Sequence, residues 1–180
     1  MLMRVFLPLI LLSTGLSTLT AFPIVESQTL DQADFRFPAD ALESPHENKP
    51  VLFAIAMSAT QENGEEQQVQ LMDWHQRLQS DSRVPDDLPI YHFAVIESPP
   101  FFVRGLIRRG IRRSLQGKVS DDRAAVLFVD STLEFARTAG IPLDTQATMV
   151  VLNPDGSLRG YIKGDLTSQS WEQLLSLLLE

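Results

Sequence analysis

The sequence predicts a three-layer α/β fold in which a central mixed β-sheet lies between two outer layers. Two observations carry this prediction. Continuous apolar runs, such as VLFAIAM at residues 51–57 and AAVLFVD at 124–130, are typical of strands that are buried on both faces of a sheet. Near the C-terminus, Pro154-Asp155-Gly156 is a tight-turn signal between two further apolar runs and predicts an antiparallel hairpin. A sheet that combines parallel strands with a hairpin is mixed.

The N-terminal half of this fold is predicted by an alternation of strands and helices. After the strand 51–57, the loop SATQENGE leads into a helix over 65–79, in which apolar side chains recur on one face. A second strand, IYHFAVIE at 90–97, follows the proline-containing break DSRVPDDLP. Because a helix connects these two strands, we expect them to be parallel neighbours.

The C-terminal half is predicted to complete the sheet and to end in a helix. The segment STLEFARTAG follows the strand 124–130 with a helical pattern. This helix is predicted to end at Gly140. Strands at 148–153 and 157–163 follow, and a last helix covers 168–179.

The N-terminal residues predict export. A single positive charge at Arg4 is followed by an apolar run from 5 to 12 and by small and hydroxylic residues up to Ala21, which is the order found in secretory signal peptides. An uncleaved anchor is the alternative, because residues 5–25 carry no charge and roughly 20 apolar residues span a bilayer. Both interpretations place the rest of the chain outside the cytoplasm, in the periplasm or facing away from the cytoplasm on a membrane anchor.

The signal sequence is followed by a proline-containing region and then by the folded domain. Residues 22–48 contain Pro38 and Pro45 and few consecutive apolar residues, which predicts an extended lead-in. The predicted domain organisation is therefore a signal peptide or anchor at 1–21, the lead-in at 22–48, and one α/β domain at 49–180.

Charge is distributed unevenly along the chain. Residues 22–99 carry 4 basic and 14 acidic side chains, whereas residues 100–118 carry 6 basic and no acidic ones. Residues 119–180 are again acidic, with 4 basic and 9 acidic side chains. The formal net charge of −8 argues against general nucleic-acid binding, because phosphate contacts need a net basic surface.

The strand and hairpin segments resemble the thioredoxin superfamily. NKPVLFAIAMSAT is similar to the strand that runs into the active-site turn of redoxins, and TMVVLNPDGSLRGYIKGDLTSQSWEQLLSLL is similar to their C-terminal hairpin and helix. The resemblance covers most of residues 35–180 and implies a thioredoxin-like three-layer sandwich.

The resemblance also implies where redox chemistry would lie and shows that its residues are missing. Thioredoxins have two cysteines just after the first core strand, where this chain has Thr60, Gln61, Glu62 and Asn63, and a cis-proline before the strand 148–153, where it has Ala147. The chain contains no cysteine, which excludes disulfides, thiolate metal ligands and thiol–disulfide exchange.

Other candidates for chemistry have simpler structural interpretations. Glu62, Glu65 and Glu66 are candidates for acid–base catalysis, but acids also favour the N-terminal end of an exposed helix. A non-thiol enzyme that uses these acids stays open as the alternative function. The histidines are scattered in the sequence and predict no metal site; they are His46, His75 and His92. We predict no cofactor and no catalytic residue.

The basic segment FFVRGLIRRGIRRS at residues 101–114 is the candidate binding element. On a helix, Val103, Leu106 or Ile107, Ile111 and Leu115 form one apolar stripe, and five arginines form the opposite face. Basic amphipathic helices bind anionic membrane surfaces or acidic protein partners. The alternative is an ordinary solvated helix whose arginines pair with the acidic body. The candidate binding residues are Phe101, Phe102, Arg104, Arg108, Arg109, Arg112 and Arg113.

Two narrower resemblances complete the sequence-based interpretation. The order of FFVRGLIRRGIRRSLQ, AAVLFVD, LEFARTAGI and the hairpin is similar to a mitochondrial ATP-synthase assembly-factor family with a thioredoxin-like fold. FFVRGL and VVLNPDG also resemble small periplasmic thioredoxin-like proteins of unknown function that lack cysteine. These resemblances imply a non-redox binding, assembly or chaperone-like factor at a membrane surface. The sequence leaves the client and the oligomeric state open.

Overall fold

The computed structural model describes residues 22–43, 49–58 and 60–179. The predicted signal peptide or anchor at 1–21 and His46 lie outside the described residues. The strands are β1 Val25–Gln28, β2 Asp34–Phe37, β3 Val51–Met57, β4 Ile90–Glu97, β5 Ala124–Val129, β6 Thr148–Leu152 and β7 Leu158–Lys163. The helices are α1 Ala39–Leu42, α2 Gln61–Ser80, α3 Phe101–Leu115, α4 Thr132–Ala139 and α5 Ser168–Leu179.

The strands β3 to β7 form one mixed sheet in the order β5-β4-β3-β6-β7. β3, β4 and β5 are parallel to one another, β6 runs antiparallel to β3, and β7 at the sheet edge runs antiparallel to β6. At the hairpin turn, Gly156 has φ +81°, a left-handed conformation that glycine adopts without strain. The turn is closed by the Asp155 carboxylate, which accepts a hydrogen bond from the Ser157 backbone N at 2.9 Å. The predicted mixed sheet and its C-terminal hairpin are confirmed.

One face of the sheet is covered by an aromatic layer from the N-terminal residues and α4. The ring centroid of Phe37 on β2 lies 4.9 Å from that of Phe93 and 5.5 Å from that of Phe53. Phe22 joins the same cluster at 5.6 Å from Phe37, and Phe135 of α4 packs against it as well. The region 22–48, for which the sequence predicts an extended lead-in, thus contains a β-hairpin and a short helix. Strands of four residues give little periodic signal, so this layer is not apparent from the sequence.

The opposite face of the sheet is covered by α2, α5 and α3. Trp74 of α2 and Trp171 of α5 pack with their ring centroids 6.2 Å apart, and the Trp74 indole donates a hydrogen bond to the Gly164 carbonyl at 2.9 Å. Ile107 and Ile111 anchor α3 over β4 and β5. The helices α2 and α3 lie side by side but make few direct contacts with each other. None of the helices in the described ranges is long and apolar enough to cross a membrane.

Candidate binding site on helices α2 and α3

The loop that corresponds to the redox site of thioredoxins is held by hydrogen bonds between side chains and backbone. Thr60 caps α2, because its hydroxyl accepts a hydrogen bond from the Asn63 backbone N at 3.3 Å. This cap starts α2 at Gln61, four residues before the expected start. The Asn63 amide donates to the Thr145 carbonyl at 2.8 Å and thereby ties α2 to the loop before β6.

Gln67 connects the start of α2 to the end of β3. Its side chain is fully buried, accepts a hydrogen bond from the Met57 backbone N, and donates to the Met57 carbonyl, both at 2.8 Å. It also donates to the Asn63 side-chain oxygen at 2.8 Å. Each of these polar atoms would be costly to bury without a partner. Asn63 and Gln67 therefore hold the loop in place, and the loop carries no nucleophilic thiol.

The three candidate acids stay on the solvent side of α2. Glu62, Glu65 and Glu66 are all exposed, and Glu65 accepts a hydrogen bond from the Gln61 amide at 2.8 Å. Glu62 lies in the first turn of the helix, where the helix dipole favours an acid. The described part of the chain contains no group of three histidines or carboxylates that could hold a metal ion. A catalytic role for these acids stays the untested alternative.

The helix predicted for the basic segment forms, but its arginines do not share one free face. The guanidinium carbons of Arg104 and Arg108 lie 5.2 and 5.4 Å from the ring centroid of Phe128 on β5. Arg108 also donates to the Gln28 side-chain oxygen on β1 at 3.0 Å. Arg112 forms an ion pair with Asp121, with Nη2 2.6 Å from Oδ2. These three arginines therefore contact the protein itself, but only Arg112 pairs with an acid as the alternative interpretation of the segment expects.

The outward face of α3 is a stripe of apolar and cationic side chains. Phe102, Leu106, Arg109 and Arg113 follow one another at helical spacing, and Phe101 stands beside them; we call these five residues the α3 stripe. Phe101 is 87% exposed, Phe102 80% and Leu106 60%, which is unusual for side chains of this size. The apolar inward stripe expected from the sequence is correct for Ile107, but Leu106 points to solvent.

A groove separates α2 from α3 and encloses about 1280 Å³. We call it the α2–α3 groove. Its floor includes Ala56 of β3 and Ala94 of β4, which are opposite each other in the sheet. Two alanines are too small to fill the space under two helices, so the helices stand apart above them. No local pattern in the sequence indicates this groove.

Most of the exposed surface of the α2–α3 groove is apolar, although the α2 wall also carries polar side chains such as Gln68 and Gln76. Val69 on α2 is 64% exposed, and Leu106 of the α3 stripe faces it from the other helix. Inside these two lie Met72, Val103, Ile107 and Ile111. One end of the groove reaches Ser58 and Thr60 in the loop before α2, and the other end reaches His75 and Lys118.

The structure brings together two histidines that are scattered in the sequence. His75 Nδ1 lies 3.1 Å from His92 Nε2, and His75 Nε2 lies 3.0 Å from the Lys118 carbonyl oxygen. Burial, together with the neighbouring His75 ring, lowers the pKa of His92 to about 3. Burial also lowers the pKa of His75, although its contact with the Lys118 carbonyl opposes that shift. Both rings are therefore neutral at pH 7.

Comparison with solved structures identifies the fold. The pneumococcal exposed lipoprotein thioredoxin of Streptococcus pneumoniae is 16% identical in sequence, and the match covers 86% of this chain and 98% of that chain with a TM-score of 0.50. The thioredoxin domain of a thiol-disulfide oxidoreductase from Bacteroides vulgatus is 11% identical, with 91% and 99% covered and a TM-score of 0.53. Yeast Sco1 with copper bound is 9% identical, with 87% and 91% covered and a TM-score of 0.57.

These similarities establish a thioredoxin-like α/β fold in a chain without cysteine. At such low identities they show the fold alone. No protein-family model matches the chain, and no curated protein matches its sequence. The narrower resemblance to the ATP-synthase assembly-factor family stays a prediction.

Proposed function

We propose that this chain is an exported, non-redox binding factor that docks on an anionic membrane surface through the α3 stripe. At that surface it serves an assembly or chaperone-like role. The thioredoxin-like fold positions the α3 stripe. The hydrogen-bonded loop at Thr60 and Asn63 takes the place of the redox loop.

The observation that carries this proposal is the exposure of Phe101, Phe102 and Leu106 beside two outward arginines. Aromatic and aliphatic side chains on a cationic helix face are typical of helices that lie in the interface of a membrane. Arg109 and Arg113 also line a shallow depression with Ser120 and the Arg112–Asp121 ion pair, and because Arg112 neutralises the acid, the two outward arginines stay accessible to a lipid phosphate group. The stripe therefore combines apolar insertion with attraction to anionic headgroups.

The charge distribution sets the strength and the salt dependence of this docking. Each arginine near an anionic leaflet contributes about 1 kcal/mol, so Arg109 and Arg113 together contribute about 2 kcal/mol, or roughly 30-fold in affinity. The attraction acts within a Debye length of about 10 Å at 0.1 M salt. It is therefore local enough to act although the whole chain has a formal net charge of −8.

Co-sedimentation of the purified exported protein with phosphatidylglycerol-containing vesicles tests the proposal. We expect the double variant Arg109→Gln/Arg113→Gln to bind about 30-fold more weakly at low salt. The matched control is Arg36→Gln/Arg137→Gln, which removes the same charge from exposed side chains on β2 and α4. Equal binding by the parent and the α3 double variant would show that the stripe does not dock on lipid.

A further inference from the structure

The α2–α3 groove is an apolar site that nothing in the described chain fills. Val69 and Leu106 stand at its mouth with 64% and 60% of their surface exposed. Met72 and Ile107 continue this apolar surface toward the floor. Apolar surface in a concave site is typical of a binding groove, and a methionine adapts its shape to an occupant.

The groove carries an asymmetric charge. Among its described lining residues, the acids are Glu65 and Asp73, both exposed on the α2 wall, and Lys118 lies at the far end. Glu65 and Asp73 are eight residues apart on the helix, which corresponds to about 12 Å. Arg109 and Arg113 do not line the groove. An occupant that pairs with this rim carries basic side chains along one flank, about two helical turns apart.

The walls of the α2–α3 groove are two helices, and they favour a helical occupant over an extended one. An extended segment between two helices would find no strand edge for its backbone N–H and C=O groups, whereas a helix satisfies these groups internally. The shorter wall runs along α3 from Val103 to Ser114, which corresponds to about 17 Å, or three turns of helix. Gly64 and Gly110 on opposite walls leave space for a close approach of the occupant.

We propose that the α2–α3 groove binds a cationic amphipathic helix of a partner protein. The apolar face of this helix lies on Val69, Met72, Leu106 and Ile107. Its basic flank pairs with Glu65 and Asp73. The groove shares Leu106 with the α3 stripe, but it binds a protein helix rather than lipid and its test needs no membrane, so the failure of either proposal is distinguishable from that of the other.

A fluorescein-labelled 18-residue amphipathic peptide of leucine and lysine is the probe, and fluorescence anisotropy without lipid is the readout. We expect saturable binding of this peptide. We expect binding at least about tenfold weaker for the same pattern made of leucine and glutamate, because its acids face Glu65 and Asp73. No saturable binding of the lysine peptide, or equal binding of both peptides, overturns the proposal.

Two matched pairs of variants locate the peptide. Gly110→Gln adds a side chain inside the groove, whereas Gly105→Gln adds the same side chain to the same helix outside it, and the Cβ of either meets open space. We expect Gly110→Gln alone to weaken binding, by at least about tenfold. Equal affinities for these two variants place the peptide elsewhere and overturn the proposal.

The second pair tests the acidic rim. Glu65→Gln/Asp73→Gln is expected to weaken binding about fivefold at low salt, with the difference shrinking as salt is added. Glu66→Gln/Asp86→Gln removes the same charge from exposed positions outside the groove and serves as the control. If both double variants weaken binding equally, the attraction is a general effect of net charge and the proposed rim contact is absent.

Discussion

At the scale of single residues, His92 couples the stability of this fold to pH. It is 3% exposed, its Nδ1 has no hydrogen-bond partner among the described residues, and its Nε2 contacts the ring of His75. Because burial lowers the pKa of His92 to about 3, the folded protein keeps this ring neutral where the unfolded chain, with a pKa near 6.5, binds a proton. The stability is therefore complete above pH 6.5 and falls as the pH drops toward 3.

We expect the free energy of unfolding to fall by about 2 kcal/mol between pH 7 and pH 5 through His92 alone, since one site contributes about 1.4 kcal/mol per pH unit below 6.5. His75 acts in the same direction, because its pKa is lowered too. Urea unfolding at both pH values measures the change. In His92→Gln the pH dependence should be smaller by this amount, whatever the stability of the variant at pH 7. An unchanged pH dependence in His92→Gln contradicts the assignment.

The sequence contains part of this information. Apolar spacing places His75 on the inward face of its helix with Leu71 and Trp74, and His92 lies within an apolar strand. Both positions indicate buried rings. Their contact depends on how far α2 is shifted along β4, which is set by packing between elements and has no local signature.

At the scale of secondary-structure elements, α3 shows how far helical periodicity can be used. The pattern correctly predicts the helix over residues 101–115 and its inward residue Ile111. It does not predict that Arg104 and Arg108 lie along Phe128, because the position of α3 over β5 is set by packing between elements. The difference matters for function, since it leaves Arg109 and Arg113 as the outward arginines of the helix.

We expect the contact between Arg108 and Phe128 to be measurable as a coupling in stability. A double-mutant cycle with Arg108→Met and Phe128→Leu, which keep most of the apolar volume, should give a coupling of about 0.5–1 kcal/mol in urea unfolding. The reason is that the guanidinium lies 5.4 Å from the ring centroid. The same cycle with Arg109→Met is the control, and its two effects should add within about 0.3 kcal/mol. Equal coupling in the two cycles would falsify the structural role of Arg108.

At the scale of the whole molecule, the sequence predicts the central sheet better than the layer around the N-terminus. Long apolar runs and a turn signal are local, so β3 to β7 follow from the sequence. The hairpin β1–β2 depends on long-range contacts, such as the hydrogen bond from the Ser27 hydroxyl to the Val126 carbonyl at 2.7 Å. The α2–α3 groove cannot be predicted from the sequence for the same reason. It lies above two alanines on neighbouring strands and between two helices that β4 separates in the chain.

The N-terminal layer makes Phe22 part of the core, and this has a consequence for stability and for processing. Phe22 is 4% exposed and packs edge-on against Phe37, Phe53 and Phe135 at centroid distances of 5.6, 6.1 and 6.4 Å. We expect Phe22→Ala to lower the free energy of unfolding by about 3 kcal/mol, as for other buried phenylalanines. Ile24→Ala is the control with an effect within about 0.5 kcal/mol, because Ile24 is 73% exposed. Urea unfolding compares the two variants, and equal stabilities would contradict a role of Phe22 in the core.

The role of Phe22 in the core also predicts where the exported protein begins. Cleavage of the predicted signal peptide after Ala21 would leave this ring in place, so the intact mass of the exported protein should include Phe22. A chain that begins after Phe22 would contradict the role of this ring in the core.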